Sequence, residues 1–226
     1  MKKPQLTTNL SENLEKLHVN REKASKLFAD VIEKAVKKSK PDSLTAPTVA
    51  TDTDTPTITP KPMPLKITVL GGGSFGTAMA NLSAKNGCDV TLWVRDKRSV
   101  RAMQKTHINK KYLPDHKLDE RLQFTHDLAT AVKDKDLLFV AVPSSAFRET
   151  LQKIAPFITA QAIISLTKGM EKDTFALMSD IIAEELPNVA FGVMSGPNLA
   201  KEIMNNMPSA TVIASESEAL RLAAQK

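Results

Sequence analysis

An apolar, β-branched run that passes directly into a glycine-rich turn is the feature that most constrains how this chain can fold. Residues 65–70 read Leu-Lys-Ile-Thr-Val-Leu, the next six read Gly-Gly-Gly-Ser-Phe-Gly, and apolar residues then recur at helical spacing. Gly71 permits a tight strand-to-helix turn, Gly73 opens the backbone to a diphosphate, and Gly76 lets the helix lie close to the strand. Strand, glycines and helix together predict a dinucleotide-binding unit.

The physical basis of this prediction is the start of the helix. The first backbone N–H groups of a helix have no intrahelical partner and lie at the positive end of the helix dipole, so they bind phosphate. The alternative is a glycine-rich turn in another kind of α/β protein that binds no nucleotide.

Strand and helix patterns alternate along the rest of the chain, which predicts a Rossmann-type, doubly wound α/β fold with a mainly parallel sheet. The predicted strands are 66–70, 90–94, 123–125, 137–142, 162–166, 189–194 and 210–214. The predicted helices are 74–86, 97–105, 127–133, 145–154, 173–185, 198–204 and 216–225.

Residues 1–64 differ in composition from the rest. Leucines and other apolar residues between Leu10 and Ala35 fall at helical spacing, and a segment rich in Thr, Pro and Asp follows from about Lys40 to Pro64. Such a segment buries too little apolar surface to offset its ordering entropy. We therefore expect a partly helical, largely disordered extension and linker over 1–64, and a dinucleotide-binding domain over 65–226.

Composition excludes several classes of protein. The single cysteine, Cys88, excludes an internal disulfide and a cysteine-built metal site, and it suits a reducing, cytoplasmic location. The net charge of +6 is spread along the chain without an arginine stripe or an aromatic platform, so nucleic acid is not an expected partner. No apolar run reaches transmembrane length, and we expect neither stable membrane insertion nor a bound metal.

Residues that follow the second strand bear on the choice of cofactor. An acidic residue in this region binds the adenosine ribose of NAD, whereas a basic residue accommodates the 2′-phosphate of NADP. The chain has Arg95 followed by Asp96, with Lys97 and Arg98 next. The basic residues favour NADP over NAD, and ordinary solvated side chains are the alternative.

Three later strand ends carry further candidates. Ser144 and Ser145 follow the fourth strand and could cap the next helix or face a nicotinamide. Lys168 follows the fifth strand and could reach a phosphate or a carbonyl group. Gly196 and Asn198 follow the sixth, where free N–H groups and side-chain donors could bind an anion, although a well-capped helix explains them equally.

Taken together, these motifs resemble bacterial-type NAD(P)-dependent glycerol-3-phosphate dehydrogenase over about residues 65–226. The resemblance rests on six segments in the family's order, namely 71–78 (GGGSFGTA), 91–95 (TLWVR), 111–114 (KYLP), 142–144 (VPS), 166–169 (LTKG) and 195–202 (SGPNLAKE). Residues 1–64 lie outside it.

The resemblance implies roles for individual residues. Those it implies to bind cofactor are Ser74, Phe75, Arg95, Tyr112, Lys168 and Ala200, in addition to Gly71, Gly73, Gly76 and Asp96, which the motif and the strand ends indicate. Lys168 is also implied to bind the substrate, together with Gly196 and Asn198. Many relatives carry a basic or neutral residue at the position of Asp96, so the acid there weakens the expectation of a strong NADP preference.

The implied reaction is the reversible, NAD(P)H-dependent reduction of dihydroxyacetone phosphate to sn-glycerol 3-phosphate, a phospholipid precursor. In the family a mostly helical second domain carries the proton-transferring lysine, which would lie beyond Lys226, so we expect the isolated chain to turn over poorly. For the full-length protein we expect a homodimer. A non-catalytic nucleotide-binding module and a two-domain dehydrogenase with another substrate remain as alternatives.

Overall fold

The computed structural model describes residues 64–225, in which strands and helices alternate. The strands are β1 (Lys66–Leu70), β2 (Asp89–Trp93), β3 (Gln123–Thr125), β4 (Leu137–Val140), β5 (Ala162–Ser165), β6 (Phe191–Ser195) and β7 (Val212–Ser215). The helices are α1 (Ser74–Lys85), α2 (Lys97–Thr106), α3 (Leu128–Val132), α4 (Phe147–Ile154), α5 (Met178–Glu185), α6 (Ala200–Met204) and α7 (Glu218–Ala224). The extension predicted before residue 64 lies outside the described residues.

The seven strands form one sheet in the order β3-β2-β1-β4-β5-β6-β7. All neighbours from β3 to β6 pair in parallel. The order of these six strands is that of the dinucleotide-binding doubly wound fold, with its reversal of strand order between β1 and β4. The predicted fold class is therefore confirmed.

Side-chain alternation along the central strands divides the core into two layers. Ile67 and Val69 of β1 point to one face, which α1, α2, α6 and α7 cover. Leu70 and Leu138 point to the other face, which α3, α4 and α5 cover. A strand buried on both faces must be apolar at nearly every position, which explains the continuous apolar runs in the sequence.

The last strand, β7, runs against the direction of the others. Ser195 of β6 lies opposite Val212 of β7, and Gly192 lies opposite Ser215. The chain therefore re-enters the sheet at the edge where β6 ends, without crossing to the other edge. A repeated β–α pattern predicts that β7 is parallel to β6. Because the short helix α6 lies between these strands, the sequence looks like another β–α unit and does not reveal that β7 runs in the opposite direction.

The fifth helix is shorter than the sequence predicts. The pattern indicated a helix over 173–185, but α5 begins at Met178. Phe175 has a φ of 56°, a left-handed conformation that interrupts a helix, and Leu177 forms a bridge with Met170. Residues 171–177 therefore form a loop. Within it, the backbone N–H of Glu171 donates to the carbonyl oxygen of Ala176, and the carbonyl oxygen of Glu171 accepts from the N–H of Phe175.

No helix within residues 64–225 is both long enough and apolar enough to cross a lipid bilayer.

Candidate functional site

The candidate site lies at the carboxyl ends of β1, β4, β5 and β6. The chain leaves β1 into α1 on one face of the sheet and leaves β4 into α4 on the other. Connections that diverge in this way open a crevice between the two strand ends, where ligands of doubly wound folds bind.

The turn that leads from β1 into α1 requires glycine at two positions for steric reasons. Gly71 has a φ of 126°, and a Cβ atom there would overlap the carbonyl oxygen of Ala141 at the end of β4. A Cβ atom on Gly76 would overlap the carbonyl oxygen of Gly71. These two glycines let α1 begin directly against the ends of β1 and β4, as the sequence predicts.

Gly73 differs from both, because a Cβ atom there would meet nothing within 4 Å. It is the N-cap residue of α1, its φ is an ordinary −71°, and the first turn of the helix contains no acidic residue. The open space therefore lies next to the unpaired amides of Ser74 and Phe75. These residues fit a diphosphate, since a side chain at Gly73 would fill the space that the phosphates need.

A segment that the sequence reasoning missed lies beside this turn. We call residues 107–122, which connect α2 to β3, the strap. Within it the side-chain amide of Asn109 is buried and donates to the carbonyl oxygen of Gly72 at 2.9 Å and to Oγ1 of Thr77 at 2.8 Å. No periodicity marks this residue, and its place just before the KYLP motif is the only signal for it in the sequence.

Lys168 is the charged group at the centre of the site. Its Nζ donates to the carbonyl oxygen of Gly196 at 3.1 Å and to Oδ1 of Asn198 at 3.2 Å, and it lies 5.8 Å from the centre of the Phe75 ring. The side chain remains exposed at the strand edge. The structure thus brings together one residue from the start of α1, one after β5 and two after β6.

Asn198 neither caps a helix nor offers a free backbone N–H group, the two roles that the sequence suggested. The N-cap residue of α6 is Leu199, so Asn198 does not cap the helix. Its backbone N–H donates to the carbonyl oxygen of Gly196 at 2.9 Å, so this amide is not free to bind an anion. The buried side chain instead bridges Lys168 and Oγ1 of Thr211, to which its Nδ2 donates at 2.7 Å.

The residues after β2 form the opposite end of the crevice. Asp96 is the N-cap of α2, and its carboxylate accepts from the backbone N–H and the hydroxyl of Ser99 at 2.8 and 2.6 Å. These bonds lower the pKa of Asp96. Arg95 is exposed beside it, and Tyr112 at the strap is also exposed, with Nζ of Lys111 at 5.1 Å from the ring centre. No hydrogen bond or ion pair connects the candidates Arg95, Asp96 and Tyr112 to one another.

Ala200 is the first residue of α6. It packs against the core layer that contains α1, and Met204 of the same helix accepts a bond from Asn81 of α1. The residues after β6 therefore lead into a helix that packs on α1, the helix that begins at the glycine turn.

An ion-pair network supports the loop that follows Lys168. Arg148 of α4 forms two bonds to Glu171, at 2.8 and 2.9 Å, and its third nitrogen contacts Glu184 and Glu185 of α5. The Arg148 guanidinium, with a smaller contribution from the Thr174 hydroxyl, lowers the pKa of Glu171 to about 2. Gly169, with a φ of 104°, turns the chain between Lys168 and this anchored loop.

Comparison with known proteins gives consistent results. Residues 66–221 match the model of the family described as NAD-dependent glycerol-3-phosphate dehydrogenase N-terminus. A glycerol-3-phosphate dehydrogenase [NAD(P)+] of Psychrobacter cryohalolentis is 63% identical over 207 residues, which cover 90% of this chain and 48% of the relative. One of Acinetobacter baumannii is 63% identical over 161 residues, which cover 71% and 45%. The chain spans about half the length of the curated relatives it matches.

The length of the Psychrobacter match corrects one expectation. Its 207 aligned residues are more than the segment 65–226 contains, so the similarity extends into residues 1–64. The resemblance identified from the motifs alone did not include this segment.

Solved structures agree with the fold and the sequence matches. The crystal structure of glycerol-3-phosphate dehydrogenase from Coxiella burnetii superimposes with a TM-score of 0.68 at 34% identity, covering 71% of this chain and 50% of that one. A glycerol-3-phosphate dehydrogenase from Plasmodium falciparum gives a TM-score of 0.67 at 30% identity, covering 72% and 49%.

The Arg148 network makes stability depend on pH, which Arg148→Gln would reveal. Because the folded-state pKa of Glu171 is about 2 instead of the ordinary 4.5, its stabilisation is complete above pH 4.5 and is lost as the pH falls toward 2. We expect the variant to be less stable than the wild type at pH 6, and the difference in urea-unfolding free energy to shrink between pH 4.5 and 2.

The matched control is Lys153→Gln, which removes the exposed pair of Lys153 with Glu149 on the same helix. Solvent screens this pair, so we expect little change at either pH. If the difference in unfolding free energy between Arg148→Gln and the wild type stays constant from pH 6 to pH 2, Arg148 is not the cause of the low pKa of Glu171.

Proposed function

The chain belongs to the family of the NAD-dependent glycerol-3-phosphate dehydrogenase N-terminus, and we propose that it is the cofactor-binding half of such an enzyme. The proposed reaction is the reversible reduction of dihydroxyacetone phosphate to sn-glycerol 3-phosphate with NADPH or NADH. The nicotinamide supplies the hydride when the cofactor is bound. The proposal rests on one observation. The open N-terminus of α1 and the group formed by Lys168, Gly196 and Asn198 lie at the same edge of the sheet.

We propose a division of work among the candidate residues. Gly71, Gly73 and Gly76, with the amides of Ser74 and Phe75, bind the diphosphate. Arg95, Asp96 and Tyr112 surround the adenosine half, and Ala200 contacts the cofactor from α6. Lys168, Gly196 and Asn198 hold the substrate.

The bonds of Lys168 support its place in this scheme. The carbonyl oxygen of Gly196 and Oδ1 of Asn198 hold the ammonium at the strand edge without neutralising it, since neither acceptor carries a full charge. A cation held in this way attracts a phosphorylated ketone and stabilises negative charge that develops on the ketone oxygen.

We propose further that the proton-transferring lysine belongs to a second, mostly helical domain, as the resemblance implies, so that turnover needs residues outside this chain. The proposed domain division is the extension 1–64 followed by the dinucleotide-binding domain 65–226. A cytoplasmic location and a homodimer of the full-length protein complete the proposal; the single cysteine suits the reducing compartment.

Gly73→Ala tests cofactor binding directly. The new methyl group meets no protein atom within 4 Å, and the φ of −71° suits alanine, so the thermal unfolding midpoint should hardly change. The methyl group would occupy the space of the diphosphate, and we expect the Kd for NADPH, measured by calorimetry, to rise about tenfold or more, equivalent to about 1.4 kcal/mol. Equal NADPH affinity of variant and wild type would refute the diphosphate site.

Arg95→Ala tests the cofactor preference. A lost charge-assisted bond to the 2′-phosphate should raise the Kd for NADPH by about tenfold, while the Kd for NADH changes less than about threefold. The control is Arg101→Ala, which removes an exposed arginine further along α2 and should leave the Kd for both cofactors unchanged. If Arg95→Ala raises the Kd for NADPH and the Kd for NADH equally, Arg95 does not contact the 2′-phosphate.

Lys168→Met tests the substrate assignment. Titration of dihydroxyacetone phosphate into the chain saturated with NADP⁺ measures binding without hydride transfer, since both partners are oxidised. We expect the Kd to rise about tenfold or more in the variant, as for loss of a charge-assisted bond. Lys201→Met, which removes an exposed lysine of α6, serves as the control and should leave the Kd unchanged.

The same titration separates the alternatives. No binding of dihydroxyacetone phosphate with retained binding of a sugar nucleotide would indicate a dehydrogenase of another substrate class. Repeating the titration on the full-length protein tests the third class, because binding of NADP⁺ with neither substrate there would favour a non-catalytic nucleotide-binding module.

A further inference from the structure

The side chain of Asn109, in the strap, forms a hydrogen bond with the backbone of the glycine turn. The side chain is 4% exposed, and its two amide hydrogens are donated to the carbonyl oxygen of Gly72 and to Oγ1 of Thr77. Thr77 is fully buried in the first turn of α1. One buried amide group therefore joins the strap to both the turn and the helix that starts from it.

The bond to Gly72 controls the direction of the next amide. In a trans peptide the carbonyl oxygen and the N–H of the following residue point in opposite directions, and the structure has no cis peptide among the described residues. Fixing the carbonyl oxygen of Gly72 therefore fixes the N–H of Gly73. Consecutive glycines have the largest backbone freedom of any residues, so an external anchor limits that freedom most effectively here.

The backbone of the same residue also holds the turn that carries Tyr112. The carbonyl oxygen of Asn109 accepts from the N–H groups of Tyr112 at 3.2 Å and Leu113 at 2.8 Å. Leu113 is 1% exposed and packs in the core layer of α1, so this turn is firmly held and presents the exposed Tyr112. Asn109 thus connects the glycine turn with the turn that carries Tyr112.

We infer that Asn109 is a positioning residue, which orients the Gly73 amide for the cofactor diphosphate and keeps the Tyr112 turn in register with it. The inference rests on the proposed function, because it assumes that a dinucleotide binds across these two turns. Asn109 does not itself need to touch the cofactor.

The chain provides a matched control in Asn81 of α1. This side chain is 2% exposed, and its Oδ1 accepts from the backbone N–H of Asp119 at 2.7 Å, while Nδ2 donates to the sulfur of Met204 at 3.5 Å. Asn81 therefore also joins the strap to α1 by a buried amide, but it does not contact the glycine turn. Loss of either side chain should weaken the strap contact to a similar extent.

The test compares Asn109→Ala with Asn81→Ala by thermal unfolding and by calorimetric titration with NADPH. We expect both to lower the unfolding midpoint, since each leaves a buried polar group unpaired. Only Asn109→Ala should raise the Kd for NADPH, by about tenfold, the size expected for loss of one buried hydrogen bond. A purely structural role would give equal effects of the two variants on the Kd, and that result would overturn the inference.

If either alanine variant fails to fold, Asn109→Leu and Asn81→Leu replace the pair, because leucine keeps the shape of asparagine without its polar atoms. The same difference in Kd is expected. Wild-type chain that binds no NADPH would refute the proposed function itself. Wild-type binding with unchanged affinity in the Asn109 variants would refute only the positioning role.

Discussion

The contact of α1 with the ends of β1 and β4 is the constraint on which the rest of this structure depends. It is possible only because Gly71 and Gly76 have no side chain, since a Cβ atom on either residue would overlap a backbone carbonyl oxygen. This contact sets the start of α1 beside the strand edge. The open position at Gly73 and the amides that follow it are consequences of the same close approach.

The candidate site is then assembled by parallel strand order. Phe75, Lys168 and Asn198 are far apart in the sequence but meet because β1, β5 and β6 all end at one edge of the sheet. Two of them are held by contacts within the fold: the Arg148 network anchors the loop after Lys168, and Thr211 fixes the Asn198 amide. The bonds that stabilise these two segments therefore also fix the positions of the candidate site residues.

Local patterns in the sequence were sufficient for the fold class and the glycine turn, and they placed Lys168, Gly196 and Asn198 directly after two strands of the sheet. They failed where tertiary bonds override a local tendency. Residues 173–177 have a helical pattern but form a loop, because Phe175 is left-handed and Glu171 pairs with Arg148. Asn109 was missed because its side chain binds the carbonyl oxygen of Gly72, 37 residues earlier in the chain, and periodicity does not reveal such a contact.

The antiparallel β7 decides where the chain leaves the sheet. In a parallel βα unit the helix returns toward the edge opposite the ligand crevice. Since β7 is reversed, it ends at the edge of the sheet where β6 begins, and α7 starts there and packs on β6 and β7. A single reversed strand thus returns the chain to the edge of the sheet that faces away from the crevice.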